Sequence, residues 1–231
     1  MKKITKAGIY LSLAAMLVLG TGTVVSAHDD WEKDVETEEN YYTDGQGIEY
    51  RYLDSFNRGY YRLNKFVQSY DVNKKPLFTK IEILDQIDGI PVKSIGNAFA
   101  GHKEIREITM GNGVWKNSGS FKGCTGLKSI KLSSQITKIS VQAFKGCKNL
   151  TSVSIPDNCT NIGKNAFYGC TSLKTIQFQT TPSKLKIGKN AFCNTPNLKT
   201  IVLPGNAKTA KQIINTLKNP QNVTLYVDQK R

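Results

Sequence analysis

The feature that most constrains this chain of 231 residues is a short segment that recurs five times. Each copy places Ala or Ser before a phenylalanine, and four of the copies place glycine two residues after it. A unit of this length cannot bury an apolar face alone, so the period predicts a solenoid in which units stack on one another. The phenylalanines are separated by 22, 23, 23 and 25 residues and are Phe99, Phe121, Phe144, Phe167 and Phe192.

An apolar triplet of the form Leu-x-x-Ile-x-Leu, or a close variant, follows each phenylalanine. Its alternation predicts a short strand with one side facing inward. A second strand is predicted at residues 136–139 and 159–162, and the phenylalanine segment then forms the corner that returns the chain. We therefore predict a mainly β repeat solenoid of about five units with short parallel strands and corner turns. The triplets are Ile105/Ile108/Met110, Leu127/Ile130/Leu132, Leu150/Val153/Ile155, Leu173/Ile176/Phe178 and Leu198/Ile201/Leu203.

Glycines recur at two places in the unit, after the phenylalanine and after the second strand. Glycine adopts left-handed backbone without steric cost, so we expect a positive φ at both places. These glycines are Gly101, Gly123, Gly146 and Gly169 in the first group and Gly163 and Gly188 in the second.

The first 27 residues have the composition of a secretory signal peptide. Three lysines precede an apolar run, and Val25-Ser26-Ala27 resembles a cleavage site. An uncleaved membrane anchor is the alternative, but the small and polar residues 20–23 dilute the run. We expect cleavage before His28, no membrane span after it, and a secreted protein at most loosely associated with the cell wall.

The remaining chain divides into four predicted segments. Residues 28–47 are rich in acidic residues and poor in apolar ones, which predicts a flexible leader. Residues 48–79 alternate aromatic and polar side chains and predict an N-terminal β-hairpin cap for the first unit. Residues 80–204 hold the repeats, and residues 205–231 predict a C-terminal cap made of a helix and a last strand.

Charge is distributed unevenly along the chain. Residues 28–50 contain nine acidic residues against one lysine, whereas residues 51–231 contain 28 Lys and Arg against nine Asp and Glu. A basic body of this kind favours acidic or polyanionic partners. Nucleic acid is not expected as a partner, because the lysines lack the interleaved aromatic residues that stack on bases and because the chain carries an export signal.

Three of the five cysteines recur at the same place in successive units. Neighbouring strands lie about 4.8 Å apart, which brings such side chains near one another without the geometry of a disulfide. We expect a column of buried free thiols at Cys124, Cys147 and Cys170, with disulfides as the alternative. Cys159 and Cys193 are expected to be packing residues.

Residues suited to catalysis or to metal binding are scarce. The only histidines are His28 and His102, which argues against most metal and imidazole chemistry. Asp85 and Asp88 precede Gly89 and are interpreted as a turn rather than as a calcium site or acid pair. We therefore expect no enzyme, no catalytic residue, no metal and no cofactor, and an unrecognised enzyme is the weakest of the alternatives.

A longer phrase carries a family resemblance. Residues 147–170 read Cys-Lys-Asn-Leu-Thr-Ser-Val-Ser-Ile-Pro-Asp-Asn-Cys-Thr-Asn-Ile-Gly-Lys-Asn-Ala-Phe-Tyr-Gly-Cys. This phrase closely resembles the BspA-like leucine-rich repeat family, and the resemblance covers residues 80–203. It implies a right-handed solenoid on a secreted or surface protein and a binding role such as adhesion, without catalysis.

Side chains that point outward from the first strand of each unit form columns across the units. We expect a hydroxyl-rich sheet face beside a nearly continuous basic column, which suits a protein or a polyanionic surface ligand. The alternative is that these lysines only keep the protein soluble and protect strand edges. The candidate binding residues are Arg106, Lys128, Lys131, Lys174, Lys199, Ser129, Ser152, Thr175 and Thr200.

The sequence therefore predicts a secreted bacterial leucine-rich repeat protein that binds a protein partner in adhesion or host interaction. The main alternative is a cell-wall-associated structural protein held by charge to anionic envelope polymers or glycans. Salt distinguishes the two functions, because polymer retention weakens steeply as counterions compete, whereas a shape-complementary protein contact depends less on salt.

Overall fold

A computed structural model describes residues 41–53, 59–114, 116–117, 120–180, 185–204, 213–215 and 223–228. The predicted signal peptide, residues 28–40 of the predicted leader and most of the predicted C-terminal helix lie outside these ranges. Within them, no helix has the length and apolar character needed to cross a bilayer.

Sixteen short strands make up most of the regular structure in the described ranges. They are β1 Tyr41–Thr43, β2 Ile48–Leu53, β3 Tyr60–Phe66, β4 Lys80–Ile83, β5 Gln86–Ile87, β6 Ile90–Ser94, β7 Glu107–Met110, β8 Lys116–Asn117, β9 Ser129–Lys131, β10 Lys138–Ile139, β11 Ser152–Ile155, β12 Asn161–Ile162, β13 Thr175–Phe178, β14 Lys186–Ile187, β15 Thr200–Pro204 and β16 Thr224–Asp228.

The repeat units contribute parallel strands to two sides of a shared core. The first strands of the units form the sheets β4-β7-β9 and β11-β13-β15-β16. The second strands form one longer sheet in the order β6-β8-β10-β12-β14. This arrangement confirms the predicted mainly β solenoid, and it places a second strand at β8 even though that unit lacks the isoleucine found there in later units.

An antiparallel ribbon joins the N-terminal end of the longer sheet. Strands β1, β2 and β3 pair antiparallel, and β3 pairs parallel with β6. The ribbon begins earlier than the sequence predicted, because β1 lies in the segment assigned to the acidic leader. The Asp44 carboxylate accepts hydrogen bonds from the amides of Gln46 (2.9 Å) and Ile48 (3.0 Å), and Gly47 has a φ of 75°, which together close a tight turn.

The Asp88-Gly89 pair forms a turn, as the sequence predicted. Both residues have positive φ, 50° and 78°, and Ile87 pairs with Ile90 across them in an antiparallel hairpin. Two consecutive positive φ values are typical of a type I′ turn, which Asp-Gly favours. Asp85 also has a structural contact, since its Oδ1 accepts a hydrogen bond from the Gly113 amide at 3.3 Å.

The recurring phenylalanines form a continuous ring stack through the core. All five are fully buried, and the centroids of successive rings lie 5.0 to 5.7 Å apart with interplanar angles of 4° to 19°. Phe66 of β3 extends the stack at the N-terminal end, at 5.4 Å and 44° from Phe99. Removing one interior ring therefore takes away a contact from the ring on each side of it.

The three repeated cysteines are buried free thiols, as their spacing predicted. Each sulfur donates a hydrogen bond to the carbonyl oxygen of the phenylalanine in the preceding unit, at 2.8 Å for Cys124, 3.0 Å for Cys147 and 3.1 Å for Cys170. Burial raises the pKa of Cys124 and of Cys170 to about 12 and raises that of Cys147 well above its ordinary value. The thiols therefore stay protonated and join adjacent units at the corner.

The glycine prediction is correct at one place in the unit and wrong at the other. The glycines after the phenylalanine have positive φ between 75° and 84°. Gly163 and Gly188 do not; the positive φ falls instead on Asn165 (56°) and Asn190 (59°), two residues later. Glycine is needed at 163 for space, because a Cβ there would lie 2.5 Å from the Val141 nitrogen.

Candidate binding surfaces

The outward side of β4, β7, β9, β11, β13, β15 and β16 is called here the first-strand face. Residues 152, 175 and 200 occupy one register position on three paired strands, and Ser129 holds the matching place on β9. Ser129 and Ser152 are exposed, while Thr175 and Thr200 are half-buried. One column of the face thus consists of short hydroxyl side chains.

A column of mostly basic residues borders this face, as the sequence predicted. Its members precede the first strand of each unit and are linked by backbone hydrogen bonds in the order Arg106, Lys128, Thr151, Lys174 and Lys199, with N···O distances of 2.8, 3.3, 2.8 and 3.0 Å. Lys128, Lys174 and Lys199 are exposed. Lys131 is also exposed, on β9 within the face itself.

Arg106 differs from the lysines of the column. It is half-buried, and its Nη1 donates a hydrogen bond to the Lys103 carbonyl oxygen at 2.7 Å. It also lies over Gly126 of the next unit, where a Cβ would overlap the guanidinium. Arg106 therefore has a local structural role, and the lysines are the freer cations.

Sequence reasoning missed an aromatic residue at the C-terminal end of the first-strand face. Tyr226 on β16 is 57% exposed and pairs in register with Val202 of β15. The signal was present in the alternation of residues 223–226, in which Leu225 faces the core more than its neighbours do. An exposed tyrosine beside valine on a sheet surface is typical of an anchor for a protein partner.

Carboxylates are paired at the other end of the face and rare beyond it. The Glu107 carboxylate lies 3.1 Å from the Lys80 ammonium group on neighbouring strands. Residues 111–204 contain thirteen lysines and a single acidic residue, Asp157. Among the described residues, no lysine of that range forms an ion pair within 4.0 Å. Lys145 is half-buried and lies over the Tyr168 ring at 5.7 Å, whereas the other lysines of the range whose side chains are described are exposed.

Among the described residues, no group of three or more His, Cys, Asp or Glu side chains is placed to hold a metal ion. His102 packs at a corner, with its ring 4.9 Å from that of Phe66 and its Nδ1 2.9 Å from a Glu104 oxygen. His102 takes the place that cysteine holds in later units. Through Phe66 it packs at the N-terminal end of the ring stack.

The fold resembles those of several solved bacterial proteins. A leucine-rich repeat protein of Treponema pallidum is 20% identical with a TM-score of 0.61, over 81% of this chain and 82% of that one. A leucine-rich cell surface protein of Faecalibacterium prausnitzii is 27% identical with a TM-score of 0.58, over 75% of this chain and 42% of that one. The pneumococcal vaccine antigen PcpA is 15% identical with a TM-score of 0.52, over 78% and 48%.

Sequence comparison gives a sharper result. No curated protein sequence matches this chain significantly. The BspA type leucine-rich repeat region, however, matches in six copies across residues 93–219, which is more than half of the chain. The chain belongs to the BspA-type leucine-rich repeat family.

Proposed function

We propose that this chain is a secreted bacterial binding protein that captures a protein partner on its first-strand face, in adhesion or host interaction. The observation that carries the proposal is the surface itself: a strand face with a column of hydroxyl side chains, bordered by exposed lysines and ending in an exposed tyrosine. Short side chains allow close approach, and a tyrosine supplies a large contact area at low entropic cost. The cell-surface description of the Faecalibacterium protein supports an extracellular site of action.

The proposed role is binding without catalysis. Leucine-rich repeat solenoids present extended surfaces to partners, and a catalytic site requires groups with convergent geometry and perturbed pKa values. In the described residues, the cysteines with raised pKa are buried in the core and hydrogen-bonded to backbone carbonyl oxygens. Their chemistry serves packing.

A capture experiment tests the proposal. Immobilised protein spanning residues 28–231 is incubated with host extracellular proteins and with isolated cell envelope, each at about 50 and 150 mM salt. A salt-resistant protein partner supports the proposal. Recovery of envelope polymer alone, lost at the higher salt, contradicts it.

A matched pair of variants locates the contact. Tyr226→Ala removes the anchor from the first-strand face, and we expect partner affinity to fall by about tenfold or more. Tyr70→Ala is the control, because Tyr70 is similarly exposed at 55% but lies in the N-terminal region, outside the first-strand face. Equal losses from the two variants would place the contact elsewhere.

A second function is favoured by the unpaired lysines. In that role the protein is retained at the cell wall by charge, as a structural component bound to anionic polymers or glycans. Thirteen lysines against one carboxylate in residues 111–204 give the attraction that such retention needs. Release of envelope-bound protein by salt, with no protein partner recovered, is the result that favours this role over the first.

A further inference from the structure

The second-strand sheet carries its own lysine column, which no candidate residue predicted from the sequence includes. Strands β8, β10, β12 and β14 pair in parallel, and their register aligns Lys116, Lys138, Asn161 and Lys186. Paired parallel strands lie about 4.8 Å apart, so the four positions form a row along the solenoid axis. Lys138 and Lys186 are exposed, and Asn161 between them is a neutral hydrogen-bonding residue.

A second row of lysines follows at the next corner. Lys164 and Lys189 come three residues after the strand positions of their units, both are exposed, and the Asn165 amide donates to the Lys189 carbonyl oxygen at 3.1 Å. The two rows and the corners between them comprise residues 116–117, 138–142, 161–165 and 186–190. None of these residues is Asp or Glu. This surface is called here the second-strand face, and all of its charged residues are therefore cationic.

The type of cation indicates the type of ligand. All thirteen cationic residues of 111–204 are lysines, and no arginine occurs there. Arginine provides the planar fork that recognises a carboxylate or phosphate in two-point contact, whereas lysine acts as a compact point charge with free rotation. Point charges repeated along one axis suit a flexible polymer whose negative charges repeat along its length better than they suit one fixed acidic protein surface.

We propose that the second-strand face binds a linear phosphodiester polymer that runs along the solenoid axis. The proposal rests on the charge-retention role given above and adds the surface and the ligand chemistry to it. Because the first- and second-strand sheets lie on different sides of one core, polymer on one leaves the other open. The protein then holds to an anionic envelope through one face while the other captures its partner.

Titration with poly(glycerol phosphate) tests the assignment. Three variants of the chain from residue 28 to residue 231 carry equal changes in net charge: Lys138, Lys186 and Lys189→Gln on the second-strand face; Lys128, Lys174 and Lys199→Gln beside the first-strand face; and Lys74, Lys75 and Lys103→Gln in the N-terminal region. All nine lysines are exposed, so none of the substitutions removes a core contact. Thermal unfolding checks that each variant is folded.

We expect the second-strand variant to bind the polymer about 100-fold more weakly at low salt, because each of its three lysines contributes about fivefold to the affinity. Its plot of log affinity against log salt should be shallower than that of the unsubstituted protein by about 2 to 3. The N-terminal variant should change little in either quantity. Similar losses from the first- and second-strand variants would overturn the surface assignment while leaving charge retention in place.

Two further outcomes separate the ligand from the function. If poly(glycerol phosphate) does not bind the unsubstituted protein but isolated cell envelope retains it until salt is added, the phosphodiester assignment fails and the charge-retention role stands; if neither binds, both fail. If polyglutamate binds as tightly and loses as much affinity in the second-strand variant, the phosphodiester assignment is wrong and an acidic polypeptide is the better ligand. Weak polyglutamate binding beside tight polymer binding supports the proposal.

Discussion

Residues 41–110 and residues 111–204 share one core but use charge in different ways. The first region has ten Lys and Arg against nine Asp and Glu, and the second has thirteen lysines against one aspartate. In the first region carboxylates help to build the fold: Asp44 and Asp71 close turns by accepting backbone amides, and Glu107 pairs with Lys80.

The repeat region is held together by other contacts. Its corners are closed by glycine and asparagine at positive φ, by backbone hydrogen bonds between units and by thiols that donate to carbonyl oxygens. Apart from Lys145, which lies over the Tyr168 ring, the lysines of this region whose side chains are described are exposed. In residues 41–110, charged side chains therefore help to build the fold. In residues 111–204, most charged side chains are exposed to solvent instead.

The largest expected effect comes from the ring stack, which is most regular in the repeat region. Phe144→Ala removes a ring that is stacked on both sides, at 5.3 and 5.0 Å, and should cost about 3–5 kcal/mol of the free energy of unfolding. Urea denaturation measures the loss. Phe66→Ala, at the tilted end of the stack, should cost less; a loss equal to that of Phe144→Ala would show that the two regions pack alike.

The next effect separates the two roles of glycine. Gly163→Ala places a Cβ within 2.5 Å of the Val141 nitrogen and 2.7 Å of the Ser140 carbonyl carbon, so the backbone must move, at a cost of about 1–3 kcal/mol. Gly101→Ala has a φ of 84° but nothing within 4 Å, so its cost is the conformational strain of about 1 kcal/mol. Chemical denaturation of both variants checks the order, and a larger loss at Gly101 would contradict it.

The thiols predict a pH dependence that belongs to the repeat region. The folded pKa of Cys124 and of Cys170 is raised to about 12 from an ordinary value of 9.0, so above pH 9 the unfolded chain loses these protons before the folded chain does. The stability that they contribute is complete below pH 9 and is lost as pH rises toward 12.

Cys170→Ala isolates this contribution from lysine and tyrosine titration. Its free energy of unfolding should fall less steeply between pH 9 and 11 than that of the unsubstituted protein, by about 1 kcal/mol per pH unit at most. Identical slopes would mean that the thiol is not buried as described. Native-state alkylation provides a second readout, because protonated buried thiols should react only after unfolding.

The smallest effect is expected from the exposed ion pair of the N-terminal region. The Lys80 side chain is 75% exposed and that of Glu107 is 49% exposed, so Glu107→Gln should change the free energy of unfolding by less than about 1 kcal/mol. Added salt should make the variant and the unsubstituted protein converge. A large or salt-independent loss would show that this pair has a greater structural role than the comparison assigns to it.

The parts of the fold that repeat could be predicted from the sequence. Phenylalanine, the apolar triplet and cysteine recur at one period, so a contact deduced for one unit applies to its neighbours. The hydroxyl columns and the lysine column followed for the same reason, because strand register in a solenoid is fixed by the repeat. The BspA-type assignment rests on that repetition as well.

The structure differs from the sequence analysis where the role of a residue depends on its surroundings or where a feature occurs only once. Glycine at 163 and 188 provides space rather than a positive φ, and the sequence alone does not distinguish the two needs. Arg106 has the charge of a ligand-binding residue, yet its contact with the Lys103 carbonyl oxygen depends on tertiary geometry. The start of the ribbon at Tyr41 depends on the Asp44 turn, which occurs once and has no repeat to reveal it.

Lysine footprinting by mass spectrometry on the chain from residue 28 to residue 231, with and without host extracellular proteins and cell envelope, tests most directly whether ligands bind the lysines of residues 111–204. Lysines of both regions are labelled in one sample, so Lys65, Lys74, Lys75 and Lys103 serve as internal controls. The account predicts that ligand protects lysines of residues 111–204, including Lys128, Lys138, Lys174, Lys186 and Lys199, and leaves the controls reactive. Protection confined to residues 41–110, or equal protection of both regions, would contradict it.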